Sequence, residues 1–171
     1  DIEPSNPIVQ TRSFGSDPEM VGVDAGTWVR CCQEAGALAC IKHFPGHGRT
    51  TRDSHDELPT VDADLATLEA TDLVPFRIGI AAGVATVMTG HLRVPALDPS
   101  GTPATFSAPI LTYLRDKLGF RGLIVTDALM NTGDVDPNTV SEIGRAYDAD
   151  GIRLTGVGVG RGFNDRVLDL L

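Results

Sequence analysis

The sequence has no apolar run long enough to cross a bilayer. Its longest nearly apolar stretch, residues 78–88, falls far short of the roughly 20 residues that a membrane-spanning helix needs. The N-terminal residues DIEPSNP contain no basic start, no apolar centre and no cleavage signal, and residue 1 is not Met, as in a processed chain or a fragment. We therefore expect no membrane span, and the N-terminus leaves the compartment open between cytoplasmic and secreted.

Cationic residues are also scarce. The chain carries 14 Lys and Arg against 23 Asp and Glu, which gives a net charge of −9. Because the phosphates of nucleic acid require a cationic protein face, we expect no nucleic-acid partner. The length of 171 residues and the apolar content of 42% suit one domain with its own core.

Cysteine is sparse and its spacing is uninformative. Cys31 and Cys32 are adjacent and Cys40 follows, so the number is odd and neither a CxxC motif nor a zinc spacing occurs. We interpret all three as small, buried apolar residues, which is the usual environment of a free cysteine.

Helices and strands alternate along the chain. Ser16 as N-cap, Glu19 completing a capping box and Pro18 in the first turn predict a helix that ends at Gly36. Its predicted inward face consists of Val21, Ala25, Trp28 and Cys32. Further helices are predicted over residues 64–82 with a break near Pro75, over 107–118 with Ser107 as cap, and over 139–148 and 164–171. Apolar strands are predicted over residues 37–42, 84–90, 122–127 and 152–154.

This alternation predicts an α/β fold with a parallel sheet covered by helices. Length and four strands favour a small doubly wound sheet, since a (β/α)8 barrel needs eight strands and about 250 residues. Polar residues at successive strand ends favour the barrel. Lys42 and His43 end the first predicted strand. His91 lies just past the second, and Asp127 ends the third.

Nucleotide binding lacks support. No GxGxxG or GxxxxGK[ST] motif follows any predicted strand, and the glycine-rich segment 156–162 has the wrong spacing for either motif.

Four motifs resemble those of glycoside hydrolase family 3, on its β-N-acetylglucosaminidase branch. The most specific is KHFPGHG followed by DSH, at residues 42–48 and 53–55. The others, in the family's order, are NPIVQTRSFGSDPE at 6–19, VMTGHLRVPALDP at 87–99 and LGFRGLIVTDALM at 118–130. Residues 131–171 match the family only weakly.

The resemblance implies a (β/α)8 barrel of which this chain contains an incomplete part. The four predicted strands then correspond to the fourth to seventh strands of the barrel, and the N-terminal strands are missing. Residues 1–171 are accordingly expected to form one partial catalytic barrel domain. Such a part on its own has open sheet edges, so an inactive truncated fragment is an alternative.

The resemblance also implies a retaining exo-β-N-acetylglucosaminidase that acts on terminal β-linked N-acetylglucosamine, with peptidoglycan fragments as its natural source, and no cofactor. Asp127 is then the nucleophile that forms a covalent glycosyl-enzyme. His55, oriented by Asp53, is the acid and base. Retaining chemistry needs a carboxylate at the anomeric carbon, and a histidine titrates near neutral pH, where one group can serve as acid and then as base. From the residues alone, Asp127 could instead cap a turn and His55 could be a surface residue.

Arg12, Lys42 and His43 resemble the family's contacts to sugar hydroxyls, and their donors suit a neutral polyhydroxyl ligand. Each could instead have only a local structural partner. His47 and His91 are interpreted as structural or supporting residues. The expected partner is a carbohydrate, and the oligomeric state is left unknown.

Three other functions remain open at this stage. A β-glucosidase or a phosphorylase could use the same scaffold, although DSH favours the amino-sugar branch. A zinc enzyme could use His43, His47, Asp53 and His55. Against zinc, HExxH is absent, and Pro45, Gly46 and Gly48 prevent the helix that would align His43 with His47.

Overall fold

A computed structural model describes residue 6, residues 12–51 and residues 58–127. The helices are α1 (Pro18–Glu34), α2 (Leu65–Ala70), α3 (Val74–Ala81) and α4 (Ala108–Thr112), and α4 continues as a π-helical turn over Tyr113–Lys117. The strands are β1 (Cys40–Phe44), β2 (Thr86–Thr89) and β3 (Leu123–Thr126). The predicted strand 152–154 and helices 139–148 and 164–171 lie outside the described residues.

The three strands form one parallel sheet in the order β1-β2-β3. Val87 in β2 is in register with Ile41 of β1 on one side and with Ile124 of β3 on the other. The predicted α/β class with a parallel sheet is therefore confirmed for this part of the chain. The first strand lies further along than predicted, and it contains Lys42 and His43 and ends one residue after them.

The helix starts follow local capping chemistry. Ser107 caps α4 as predicted, since its Oγ accepts a hydrogen bond from the Ile110 N–H at 3.2 Å. For α1 the predicted cap Ser16 is wrong. Asp17 is the N-cap, because its Oδ1 accepts from the Met20 N–H at 2.8 Å and Pro18, directly after it, opens the helix.

The buried face of α1 also differs from the prediction. Gly22, Gly26 and Val29 are buried, whereas Trp28 is 52% exposed. A Cβ placed on Gly22 would lie 2.3 Å from Cδ1 of Ile78 in α3. The two helices therefore pack through bare backbone, and a prediction that searches for apolar side chains cannot find such a face.

The cysteine prediction is wrong for Cys31, which is exposed, while Cys32 and Cys40 are half-buried. Cys31 follows Gly22 by nine residues, which at the helical repeat puts it on the opposite side of α1.

No helix in the described part of the chain combines the length and the apolar character needed to cross a membrane.

The core lies between the sheet and the helices that cover it. The rings of Phe44 in β1 and Phe76 in α3 meet edge to face with centroids 5.2 Å apart. Around them lie buried side chains from strands, helices and connecting turns, namely Val87, Ile124, Leu68, Leu73, Ile110, Leu111 and Leu114. This packing fixes the strands against α3 and α4, and so fixes the residues at the strand ends.

The α1–α3 contact predicts that substitution by alanine has different effects on stability at Gly22 and at Gly26. Gly26→Ala should be neutral or stabilise by up to about 1 kcal/mol, because alanine favours the helix and its Cβ would lie 3.4 Å from the nearest Ile78 atom. Gly22→Ala should be less stable than Gly26→Ala by about 1–3 kcal/mol, because its Cβ meets Ile78. Urea unfolding measures both variants.

A double-mutant cycle tests the cause. Ile78→Val removes the Cδ1 atom that is nearest to the new Cβ, so it should relieve part of the Gly22→Ala defect. Equal stabilities for the two alanine variants, with no coupling to Ile78, would contradict this account of the contact.

Candidate active site

The carboxyl ends of the three strands bring together residues that are distant in the sequence. His43 lies in β1 one residue before its end, and Asp127 directly follows β3. The hydrogen bonding of the sheet continues past the strands. The Asp127 N–H donates to the Thr89 carbonyl at 3.2 Å, and the Gly90 N–H donates to the Phe44 carbonyl at 2.9 Å. The backbone at Asp127 is therefore fixed by the sheet.

His43 and Asp127 meet across the end of the central strand. Nε2 of His43 lies 3.5 Å from Oδ2 of Asp127, and their side chains are 10% and 23% exposed. Gly90 follows β2 between them, and a Cβ placed there would lie 3.1 Å from Cβ of His43. The absence of a side chain at Gly90 is thus what leaves room for His43 beside Asp127.

His43 is held in its neutral form. Burial is the largest cause and, together with the cation of Lys42, lowers the pKa of His43 from 6.5 to about 4, while the Asp127 carboxylate opposes the shift. His47 and Arg12 contribute to the same lowering of the His43 pKa. A neutral imidazole therefore faces the carboxylate at pH 7.

A cavity of about 490 Å³ lies beside β1, within the size range of small-molecule sites. Arg12, Lys42 and His43 are among its walls, together with apolar side chains that include Phe14 and Trp28. Asp127 is not among its walls. The cavity therefore adjoins the Asp127 site but does not enclose the predicted nucleophile.

Four of the six predicted site residues lie in the described part of the chain. Lys42, His43 and Asp127 lie at one end of the sheet. Arg12, which precedes α1, contributes with Lys42 to the wall of the cavity and to the electrostatics of His43. Asp53 and His55 lie outside the described residues.

His47 and His91, the other histidines in the described part of the chain, are buried next to this site, in agreement with a supporting role. The ring of His47 meets that of His43 edge to face at 6.0 Å. Nδ1 of His91 lies 3.0 Å from Oγ1 of Thr105, and its ring stacks on Phe106.

The loop after β1 is held by contacts that sequence analysis did not single out. The buried Asn6 donates from Nδ2 to the His47 carbonyl at 2.7 Å. Thr50 contacts Nδ1 of His47 and donates to the His47 carbonyl at 3.0 Å. On the other side Arg49 forms an ion pair with Asp72, with Nε 2.8 Å from Oδ2. Only their opposite charges could have suggested this pair.

A zinc centre is not supported by the described residues, among which no group of three His, Cys, Asp or Glu side chains could hold a metal ion. The zinc alternative also requires Asp53 and His55, which lie outside that part.

The depressed pKa of His43 predicts a specific pH dependence of stability. Between pH 6.5 and about 4 the unfolded chain binds a proton at His43 and the folded chain does not, so the free energy of unfolding falls as the pH falls through this range. The full effect is up to about 3 kcal/mol, since one pKa unit corresponds to about 1.4 kcal/mol. Urea unfolding at several pH values measures it.

His43→Gln is the matched control because glutamine keeps a donor but cannot titrate. Groups remote from His43 contribute equally to both profiles, so the difference between the two pH profiles reports on His43 together with its interaction with Asp127. Superimposable profiles would mean that His43 is not desolvated as described.

Comparisons with known proteins agree with the four motifs. The family model described as "Glycosyl hydrolase family 3 N terminal domain" matches residues 1–152. β-Hexosaminidase A from Pseudoalteromonas piscicida is 41% identical in an alignment of 145 positions that covers 78% of this chain and 24% of that protein.

Solved structures of the same family superpose closely. A glycoside hydrolase family 3 β-N-acetylglucosaminidase from Paenibacillus sp. str. FPU-7 has a TM-score of 0.87 and 39% identity, over 98% of this chain and 32% of that one. NagZ from Neisseria gonorrhoeae has a TM-score of 0.80 and 34% identity, over 99% and 47%. The β-glucoside phosphorylase BglX has a TM-score of 0.76 and 26% identity, over 91% and 34%.

The chain thus spans between a quarter and a half of the length of the proteins it matches. Because the family model covers most of its residues, the chain belongs to glycosyl hydrolase family 3, and residues 1–152 match the N-terminal domain of that family.

Proposed function

We propose that this chain is part of the catalytic domain of a retaining exo-β-N-acetylglucosaminidase. The observation that carries the proposal is the meeting of His43 and Asp127 at the carboxyl end of a parallel sheet, beside the cation of Lys42. Sugar-cleaving chemistry needs a fixed carboxylate with donors around it. The names of the hexosaminidase and N-acetylglucosaminidase relatives support the amino-sugar substrate.

We also propose that the sheet is part of a (β/α)8 barrel, in which the described residues supply three consecutive strands. In a barrel the strands follow one another in chain order, whereas a doubly wound sheet reverses its order at a switch point. The order β1-β2-β3 has no such reversal within the described residues. Polar side chains at successive strand ends then converge on one site.

Asp127 is proposed as the nucleophile. One of its carboxylate oxygens attacks the anomeric carbon, the bond from that carbon to the leaving oxygen breaks, and a covalent glycosyl-enzyme forms. The neutral His43 beside it can donate a hydrogen bond without bringing a second full charge. The carboxylate therefore keeps its negative charge for the attack, which a protonated imidazole at this distance would partly neutralise.

His55 is proposed as the acid and base, with Asp53 orienting its ring. In the first step His55 gives its proton to the leaving oxygen. In the second it removes a proton from water, which attacks the anomeric carbon and frees Asp127. This assignment comes from the DSH motif of the family, since both residues lie outside the described part of the chain.

Arg12, Lys42 and His43 are proposed to bind sugar hydroxyls. All three line the cavity beside β1. Arg12 and Lys42 can donate to sugar oxygens, and the neutral His43, whose Nε2 faces Asp127, can accept from a hydroxyl through its other ring nitrogen. A neutral sugar needs hydrogen-bond donors rather than a compensating charge. Arg12 and Lys42 supply such donors. Peptidoglycan fragments that end in N-acetylglucosamine are the proposed natural substrate, and no cofactor is needed for these steps.

A phosphorylase is the second candidate, favoured by the similarity to BglX. Phosphate would then replace water as acceptor in the second step. Identification of the product formed in phosphate buffer separates the two activities, because hydrolysis gives the free sugar and phosphorolysis gives a sugar phosphate. A β-glucosidase would prefer substrates without the N-acetyl group, and an inactive fragment would release no sugar at all.

Loss of the nucleophile should remove activity without unfolding the protein. Asp127→Ala should lower turnover of a nitrophenyl N-acetyl-β-glucosaminide by several orders of magnitude, because no covalent intermediate can form. Asp116→Ala, which removes an exposed carboxylate from the turn after α4, should retain wild-type activity. A fluorinated mechanism-based sugar should label Asp127 in the wild type, as read by mass spectrometry. Labelling of another carboxylate would refute the assignment.

Loss of the acid and base should depend on the leaving group. His55→Ala should form the glycosyl-enzyme from a dinitrophenyl glycoside at a nearly normal rate, because this leaving group needs no proton, and should be slow on poor leaving groups. Its breakdown should stall until azide is added, which should give a β-glycosyl azide. Asp53→Ala should shift in the same direction more mildly. The measurement is rate against leaving-group pKa.

Parallel plots for wild type and His55→Ala, with no azide product, would mean that His55 is not the acid.

A further inference from the structure

The loop after β1 is fastened to the junction of α2 and α3 by an arginine. Nε of Arg49 donates to Oδ2 of Asp72 at 2.8 Å, and Nη2 donates to Oγ1 of Thr71 at 2.7 Å. The Thr71 hydroxyl lies 2.7 Å from the same Asp72 oxygen. The guanidinium thus donates to the Asp72 carboxylate and to the Thr71 hydroxyl at the same time. We refer to Arg49, Asp72 and Thr71 as the latch.

Burial makes the latch strong. The Asp72 side chain is 3% exposed and that of Arg49 is 24% exposed. An exposed ion pair contributes little because water screens it, whereas a buried carboxylate that loses its cation is strongly disfavoured. Removal of Arg49 would therefore leave a buried carboxylate without its cation, which makes separation of the two side chains unfavourable.

The backbone of the loop also passes directly against Asp72. Gly46 has φ of +139°, and a Cβ placed on it would lie 3.2 Å from Cβ of Asp72. The opposite side of the loop is held at the His47 carbonyl by Asn6 and Thr50. The segment from Gly46 to Thr50 is thus held on two sides. On one side the contact is the Arg49–Asp72 ion pair, and on the other it is the hydrogen bonding at the His47 carbonyl.

Arg49 lies in the sequence between His43, next to the proposed nucleophile, and the segment that carries the proposed acid and base. Upstream, in the strand that leads into this loop, lies His43, which contacts Asp127 and also meets the ring of His47. Downstream, Asp53 follows Arg49 by four residues and His55 by six. Four residues span at most about 14 Å, so fixing Arg49 limits where the next segment can begin. Acid–base catalysis is sensitive to placement, since a shift of about 1 Å can cost roughly a hundredfold in rate.

We propose that Arg49 and Asp72 are positioning residues for the acid and base, and that their ion pair fixes the origin of the segment that carries Asp53 and His55. The inference rests on the proposed function. Arg49 does not itself bind the sugar, because Nε and Nη2 are both engaged by Asp72 and Thr71 and the residue is not part of the cavity wall. Its partners Thr71 and Asp72 do line the cavity. Substitutions at Arg49 itself, which leave both of those side chains in place, are therefore expected to act mainly on catalysis.

The test compares leaving-group dependence in latch variants. Arg49→Gln should lower kcat for a glycoside with a poor leaving group by about tenfold or more, because general acid catalysis contributes roughly 10²–10⁴. KM should change less than about threefold, and formation of the glycosyl-enzyme from a dinitrophenyl glycoside should stay near normal. Arg49→Lys keeps the charge but cannot make both contacts, so it should fall between Arg49→Gln and wild type.

Arg77→Gln is the matched control. Arg77 is an exposed arginine of α3 whose Nη2 donates to the Glu69 carbonyl, on the surface rather than on the loop. It should show the wild-type dependence on leaving group. Rates are expressed per active site by titrating the burst of dinitrophenol, so that a loss of folded protein does not count as a loss of catalysis. If Arg49→Gln does not fold, Arg49→Lys carries the test.

The outcomes separate this inference from the proposed function. A steeper dependence in the latch variants, resembling His55→Ala, supports the inference. A wild-type dependence per active site in these variants, with a steep one in His55→Ala, makes the latch purely structural and leaves the proposed function intact. A wild-type dependence in His55→Ala itself overturns both, because no acid is then present at His55 for the latch to position.

Discussion

The parallel pairing of β1, β2 and β3 is the constraint on which the site depends. Only this pairing brings the carboxyl ends of all three strands to one edge, and with them His43 and Asp127. The end of β2 must also be free of a side chain, since a Cβ on Gly90 would press on His43. The contact between His43 and Asp127 thus depends on a residue without a side chain directly after the strand between them.

Desolvation then sets the electrostatics of this edge. Burial destabilises the charged form of His43 more than the nearby Asp127 carboxylate stabilises it, so the pKa falls to about 4 and the residue stays neutral. The cations of Lys42 and Arg12 act in the same direction, and they leave the negative charge of the site on Asp127. In a chain with a net charge of −9, these cations and the neutral His43 thus surround a single carboxylate at this edge of the sheet.

The sequence predicted the features that follow from chain-local patterns. Three strands, the break near Pro75 and the Ser107 cap all come from neighbouring residues, and so does the placement of Asp127 at a strand end. The α1 face was predicted wrongly because Gly22 and Gly26 bury backbone, which an apolar pattern does not reveal. The Arg49–Asp72 pair joins residues 23 apart on a loop and a helix junction, and no periodicity connects them. Asp53, His55 and the fourth strand lie outside the described residues, so their predictions remain predictions.

The two proposed catalytic groups are fixed by different means. Asp127 is fixed by the sheet, because its own N–H extends the hydrogen bonding between β2 and β3. Asp53 and His55 follow a loop, and the described part of that loop is held by the Arg49–Asp72 pair and by the contacts at the His47 carbonyl. A retaining mechanism requires the nucleophile and the acid at a defined separation of about 5–5.5 Å when both are carboxyl groups. Under the proposed roles, we expect a substitution in the sheet to disturb both groups and one in the latch to move the acid alone. This asymmetry is why the leaving-group dependence can report on the loop independently of the nucleophile.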